Sequence, residues 1–222
     1  MGIIPVKTPT IIKKILPDFV WEFSTSEKVL YLTFDDGPTP KVTQWTLNTL
    51  KQFDAKATFF CIGNNIQKHP DIFQNILNEG HRIGNHSNTH LKGWNTSVDK
   101  YVLDVNEAQK FITSELKKSD TRSQALNESP LFRPPYGRIK PSQGKALKDQ
   151  GYTVVTWSIL SFDWKKETSP ETCYNNVISK SKPGSVIVFH DSVKASKNLM
   201  QALPKVLTYF SKKGYAFKTL PI

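Results

Sequence analysis

Val29-Leu30-Tyr31-Leu32-Thr33-Phe34-Asp35-Asp36-Gly37-Pro38 is the stretch on which the rest of the chain hangs. Its run of β-branched, aliphatic and aromatic residues predicts a buried strand over 29–34. The run stops at two adjacent carboxylates and a Gly-Pro breaker. Neighbouring carboxylates repel, so holding both at a buried strand end costs several kcal/mol unless a cation sits there. The plain alternative is a Gly-Pro turn with two solvated aspartates. The rest of the chain has to decide between them.

Outward from that stretch, strand and helix patterns alternate. Thr39-Pro40 reads as an N-cap and first helical position, with Val42, Trp45, Thr49 and Phe53 behind it at helical spacing. Residues 57–61 read as a second strand, and Ile72, Phe73, Ile76 and Leu77 as a helix closed by Gly80. A third strand spans 81–84, and Val98, Tyr101, Val105, Ala108 and Ile112 trace one face of the longest helix. The polar stretch 117–129 reads as a loop. A brief strand at Leu131-Phe132 meets Pro134-Pro135, and 152–159 reads as one strong strand. Ser169-Pro170 caps a further helix, and 185–189 and 215–219 are the last strands. Pro204 is expected near the start of the last helix or at a kink in it. Such alternation predicts parallel βαβ units, and about seven strands favour a barrel-like sheet over an open one.

Composition narrows the function classes. The 222 residues are 38% hydrophobic and 11% aromatic, enough for a core and too much for disorder. No apolar run approaches the roughly 20 residues of a membrane span. Pro5, Pro9, Lys13 and Lys14 interrupt Ile3-Ile4 and Ile11-Ile12, so the lead lacks the continuous apolar region of a signal peptide. Location is left open between envelope-associated and cytoplasmic. Cys61 and Cys173 are expected as buried free thiols, with one long-range disulfide as the alternative. A formal charge of +11 hints at an anionic partner, yet the cations are dispersed and no nucleic-acid motif is present. Neither nucleic acid nor a membrane span is expected.

Asp35-Asp36, His86, His90, Arg133, Asp163-Trp164 and His190 all fall just past predicted strand ends. In a β/α barrel those ends share one face, where active sites are built. His86 and His90, four apart, point the same way from one turn or tight loop. Two histidines and one aspartate make a three-ligand site with positions open for water and substrate. One aspartate can hold the cation while the other takes a proton from the attacking water, as general base. Arg133 is placed to pair with that base, and His190 to protonate a leaving group with Asp163 beside it. Trp164 suits the apolar wall of a pocket or a sugar-stacking face. His69 and His81 read as structural or solvated.

Thr33-Phe34-Asp35-Asp36-Gly37-Pro38, His86-Ser87-Asn88-Thr89-His90, Arg133-Pro134-Pro135-Tyr136-Gly137-Arg138, Asp163-Trp164 and Val188-Phe189-His190-Asp191 together resemble the polysaccharide deacetylases. These are the NodB-homology group, carbohydrate esterase family 4, and the motifs stand in family order from about Val29 to Thr219. The resemblance implies an α/β fold, a distorted (β/α)7 barrel, over 29–222, with 1–28 as a lead packed on it. It also implies metal-dependent removal of acetyl groups, usually from N-acetylglucosamine in a polymer such as peptidoglycan or a chitooligosaccharide. By position Asp35 would be the base, and Asp36, His86 and His90 the ligands of a divalent metal. Zinc is the expected ion, with cobalt or another divalent ion as alternatives. Arg133 would orient Asp35, His190 would be the acid, and Asp163 would tune it. The Tyr136 backbone amide would stabilise the oxyanion, and Trp164 and Val188 would enclose the acetyl methyl. Two positions depart from the family: Leu160 stands where many members have aspartate, and Val188 where leucine is usual. Both bear on pocket shape and hence on substrate.

An acetylated glycan is therefore the expected substrate partner of a monomer. The alternatives are an O-acetyl esterase on xylan or another glycan with the same site, and a non-catalytic glycan-binding module. An iron(II) oxygenase shares the two-His, one-carboxylate set but is disfavoured by the βα alternation.

Overall fold

Val29–Asp35 forms strand β1, and every one of its side chains is buried. The computed structural model describes residues 5–118 and 129–222, so Ile3-Ile4 and positions 119–128 of the 117–129 loop lie outside the described residues. In chain order the elements are α1 (Thr10–Ile15), β1, α2 (Val42–Lys51), β2 (Thr58–Cys61), α3 (Gly63–Lys68), α4 (Pro70–Asn78) and β3 (Arg82–Asn85). There follow α5 (Val98–Leu116), β4 (Leu131–Phe132), α6 (Pro141–Asp149), β5 (Thr153–Val154) and β6 (Ile159–Leu160). The chain ends with α7 (Pro170–Lys180), β7 (Val186–His190), α8 (Ser196–Lys212) and β8 (Ala216–Phe217).

The strands lie in the order β5-β4-β3-β2-β1-β7-β6, with β8 beside the start of β1. All pairs are parallel, which gathers their C-terminal ends at one face. This is the barrel-like sheet expected from the alternation and the distorted barrel implied by the resemblance, realised as a curled parallel sheet of eight strands covered by helices. Its centre is apolar on both sides. Phe34 lies between Phe59 and Phe189, with ring centroids 5.0 and 6.1 Å away. Each such buried side chain contributes about 1.5–3 kcal/mol. Cys61 and Cys173 are buried free thiols, and no described helix is long and apolar enough to cross a membrane.

Several local expectations need correction. The strand read over 152–159 is two short strands on opposite edges of the sheet, because β5 pairs with β4 and β6 with β7. The chain between them spans the gap in the barrel wall, and the N-terminal lead covers the backbone groups left open there. Val20 donates to Val154 O at 2.9 Å and receives Thr156 N–H at 2.7 Å, while Leu160 donates to Val6 O at 2.9 Å. The lead also forms the short helix α1, where a loose segment is expected from sequence. Thr39-Pro40 does not open α2. Lys41 at φ 65° breaks the helical path, so α2 starts at Val42, and Thr39 N–H instead meets the Thr43 hydroxyl at 2.7 Å. Helix α3 carries no helical pattern in the sequence, since only Ile66 supplies a buried apolar side chain there. Of the two places expected for Pro204, the structure takes the one inside α8 rather than the one near its start.

Candidate functional site

The C-terminal ends of β1, β3, β4, β6 and β7 surround a cavity of about 910 Å³. It is lined by Asp35, Asp36, His86, His90, Tyr136, Trp164, Val188 and His190. Arg133 and Asp163 lie behind this lining, fully or almost fully buried. Residues spread over most of the chain are thus brought to one place.

The two aspartates differ sharply. Asp35 closes β1 and receives Arg133 Nη1 at 2.7 Å. Arg133 itself is wholly buried and spends its remaining donors on Thr33 Oγ1 at 2.7 Å, Thr156 O at 2.8 Å and Val155 O at 3.4 Å. Its guanidinium also lies 4.0 Å from the Phe60 ring centre. Only a planar, multi-donor cation satisfies that set, so a lysine would not replace it. Arg133→Met is expected to cost about 3–5 kcal/mol, because Asp35 would be left buried and unpaired. Adding Asp35→Asn should restore most of that loss in a denaturant titration. A double variant as unstable as the single one would show that lost packing, not the stranded charge, sets the cost.

Asp36, the next residue, sits at φ 80°, which turns its carboxylate away from that of Asp35. Its buried Oδ1 accepts no well-formed hydrogen bond. It instead faces His90 Nε2 at 3.3 Å and His86 Nε2 at 3.6 Å. Burial pushes the Asp36 carboxyl up, but the His90 contact and the nearby His190 and His86 outweigh it and hold it well below the usual range. His86 Nδ1 lies 2.8 Å from the Arg133 carbonyl, which can only accept, so that nitrogen carries the proton and Nε2 presents a lone pair. Burial lowers His86 to about 4, keeping the ring neutral. His90 Nδ1 meets the Tyr136 hydroxyl at 3.0 Å. The ligand atoms of Asp36, His86 and His90 all lie within 4.8 Å of one another. A buried carboxylate oxygen with no well-formed hydrogen bond, facing the Nε2 atoms of two imidazoles, is a donor set that fits a divalent metal.

The loop carrying both histidines is pinned from α5. The Asp104 carboxylate accepts Asn88 N–H at 2.9 Å and the Thr89 hydroxyl at 2.8 Å. Ser87 (φ 62°) and His90 (φ 57°) both take left-handed conformations, as do Tyr136 (φ 61°) and Phe162 (φ 64°). Such strain, about 1–2 kcal/mol per residue, concentrates where side chains must be aimed.

On the far side of β1, His190 ends β7. Asp163 holds it twice, accepting its backbone N–H at 2.8 Å and facing Nδ1 at 2.9 Å. Burial pulls the His190 imidazole down, but the Asp163 charge and hydrogen bond, with Asp36 and Asp35 nearby, raise it to about 9. The Trp164 ring lies 4.7 Å from His190, and Leu160, Phe162 and Val188 form the apolar wall beneath. His81 is structural: its Nδ1 accepts Ala57 N–H at 3.1 Å, and burial lowers it to about 4.

A family model described as Polysaccharide deacetylase matches residues 23–155. This chain belongs to the polysaccharide deacetylase family. It is 37% identical over 202 residues to a peptidoglycan-N-acetylglucosamine deacetylase of Bacillus cereus, covering 90% of both chains. It is 30% identical to the peptidoglycan-N-acetylmuramic acid deacetylase PdaA of Bacillus subtilis, covering 89% of this chain and 72% of that one. Among solved structures, a peptidoglycan N-acetylglucosamine deacetylase in complex with an N-oxidanyl-benzamide superposes with a TM-score of 0.84. That pair shares 33% identity and covers 96% and 95% of the two chains.

In this member of the family, sequence reasoning gave no role to the residues that hold the Asp35-Asp36 turn from behind. Asp191, fully buried, accepts Gly37 N–H at 3.1 Å and the Thr43 hydroxyl, and its own N–H reaches Asp35 O at 3.1 Å. A Cβ at Gly37 would fall 2.1 Å from Asp191 Oδ2, so glycine is required there. Burial pushes Asp191 up to about 7, countered by Thr43 and reinforced by Asp36. Asn65, on helix α3, donates to Asp36 O at 2.8 Å. A carboxylate directly after a strand-end histidine was the one available signal for Asp191.

Proposed function

We propose that this chain is a metal-dependent N-deacetylase that releases acetate from N-acetylglucosamine residues of a glycan, with peptidoglycan as the leading polymer. The observation that carries this reading is the placement, at one cavity, of three metal-type donors between an arginine-paired carboxylate and an aspartate-paired histidine. Asp36, His86 and His90 would hold the metal, with zinc preferred by their chemistry and cobalt an alternative. A divalent ion there would supply Lewis acidity toward the acetyl carbonyl and lower the pKa of water.

The remaining steps belong to protein groups. Asp35 accepts the proton of the attacking water, and Arg133 keeps that carboxylate ionised and aimed. The oxyanion role is assigned to the backbone amide of Tyr136, a residue that lines the cavity. His190, held protonated by Asp163, delivers its proton to the departing nitrogen. An amine leaves a tetrahedral centre only once protonated, whereas an alkoxide needs less help. An imidazole held 2.9 Å from the buried Asp163 carboxylate, which favours its protonated form, therefore supports amide over ester as the bond cleaved. Trp164, Val188 and Leu160 wall the acetyl methyl.

An acetate-release screen over chitooligosaccharides, peptidoglycan and acetylated xylan tests this, with the enzyme first stripped by chelator. Release from either N-acetylated polymer is expected only after zinc or cobalt is added back. Release from xylan alone would replace the N-deacetylase with an O-acetyl esterase. Glycan binding with no acetate from any polymer would leave a binding module.

A further inference from the structure

The rim of the cavity carries charge that the proposed chemistry does not use. Lys92, Arg138, Lys165 and Lys194 line the mouth, whereas among the described residues the only acidic ones lining it are Asp35 and Asp36, both already engaged. Among the described residues, no carboxylate lies within ion-pair distance of any of the four cations. Three are steadied by aromatic rings instead. Lys92 Nζ lies 5.3 Å from the Tyr136 ring centre, the Arg138 guanidinium 4.9 Å from Trp94, and Lys165 Nζ 4.1 Å from Phe162. Such contacts position a cation without neutralising it.

Their distribution follows the sheet order. Lys92 and Arg138 come from the loops after β3 and β4, on one side of β1. Lys165 and Lys194 come from the loops after β6 and β7, on the other. The Asp35-Asp36 strand end lies between the two pairs. On the Lys92 side, Trp94 and Tyr136 are 57% and 52% exposed, large for side chains of this size, and offer flat faces on which a sugar ring can stack. A polymer threaded through this mouth places a sugar on each side of the one being cleaved.

Resting on the deacetylase reading above, we propose that the two cation pairs bind carboxylates on the sugars flanking the reacting one. The substrate class is then an anionic glycan, acidic on both neighbours of the cleaved N-acetyl sugar, rather than a neutral N-acetylglucosamine homopolymer. This also gives the chain's +11 charge a local use. Exposed pairs of this kind add little affinity each but focus the field over a cleft and raise association rates.

The test uses three probes: strands alternating N-acetylglucosamine with N-acetylmuramic acid, the same strands with their carboxylates amidated, and an N-acetylglucosamine hexamer. The metal-loaded protein is expected to favour free-carboxylate strands over amidated ones by about tenfold in kcat/KM at low salt. Raising ionic strength toward about 1 M, where the screening length is about 3 Å, should erase the preference. Lys92→Gln with Arg138→Gln, and Lys165→Gln with Lys194→Gln, should each reduce it. Charge-keeping Arg138→Lys and Lys165→Arg should retain it, which separates charge from packing. Tryptophan fluorescence follows binding of the same strands independently of turnover. Equal binding of free and amidated strands by the parent protein, or an undiminished preference after all four substitutions, would overturn the proposal. A salt-sensitive binding preference without acetate release from any probe would support it while removing the deacetylase reading.

Discussion

Asp35→Asn is expected to keep a divalent ion bound while acetate release falls about 100- to 10,000-fold, the range lost when a general base is removed. The side chain keeps its size and can still accept from Arg133 Nη1, now 2.7 Å from Oδ1, but it can no longer take a proton. Asp36→Ala should behave differently. It deletes the oxygen facing both His86 Nε2 and His90 Nε2, so metal affinity and turnover are lost together. Metal content by elemental analysis, read beside acetate release, separates the two. If Asp35→Asn stayed active, or lost its metal as Asp36→Ala does, the division of labour between these neighbours would be wrong.

Asp163→Asn is expected to lower turnover at neutral pH by about 100-fold or more through His190. With the Asp163 charge gone, the burial that already pulls His190 down is no longer balanced, so its titration moves below the present value of about 9. The parent should hold its rate until pH rises through about 9, and the variant should lose its rate at lower pH and regain part of it on acidification. Stability follows the same sign. His190 is raised in the folded protein from an ordinary 6.5 to about 9, so its contribution is full below 6.5 and lost as pH climbs through 9. Parent thermal stability should therefore decline across that window more than that of Asp163→Asn. A pH–rate profile identical in the two proteins would remove Asp163 from this role.

How far the site was legible depends on how local each feature is. The strand 29–34 and its abrupt end at Asp35-Asp36 were readable because burial of a whole strand leaves an unbroken apolar run. His86 and His90 were readable because spacing by four constrains direction even in a loop. Arg133, Asp163 and His190 stood out through their common place at strand ends, which parallel topology turns into common location. The division of 152–159 into two strands was not readable. Hydrophobic patterning reports that a segment is buried and cannot say which edge of the sheet pairs with it. The roles of Asp191 and Asn65 escaped for a related reason: their partners are Gly37 and Asp36, across the fold, so even the motif that contains Asp191 does not say what it holds.

From sequence alone, then, the chain's alternation, its strand-end carboxylates and histidines and the family they resemble could be determined, because each is written in short-range order. The resemblance already gives Asp35 and Asp36 different roles, but only the tertiary structure shows the physical cause of the difference. The two residues are identical in kind and adjacent in the chain. The left-handed backbone at Asp36, locked by Asp191 against Gly37, and the buried guanidinium of Arg133 on Asp35 aim one carboxylate at the histidines and fix the other beside its cation. The repulsion that makes such a pair costly is offset by groups about 100 or more residues away in the chain, which only folding brings within reach.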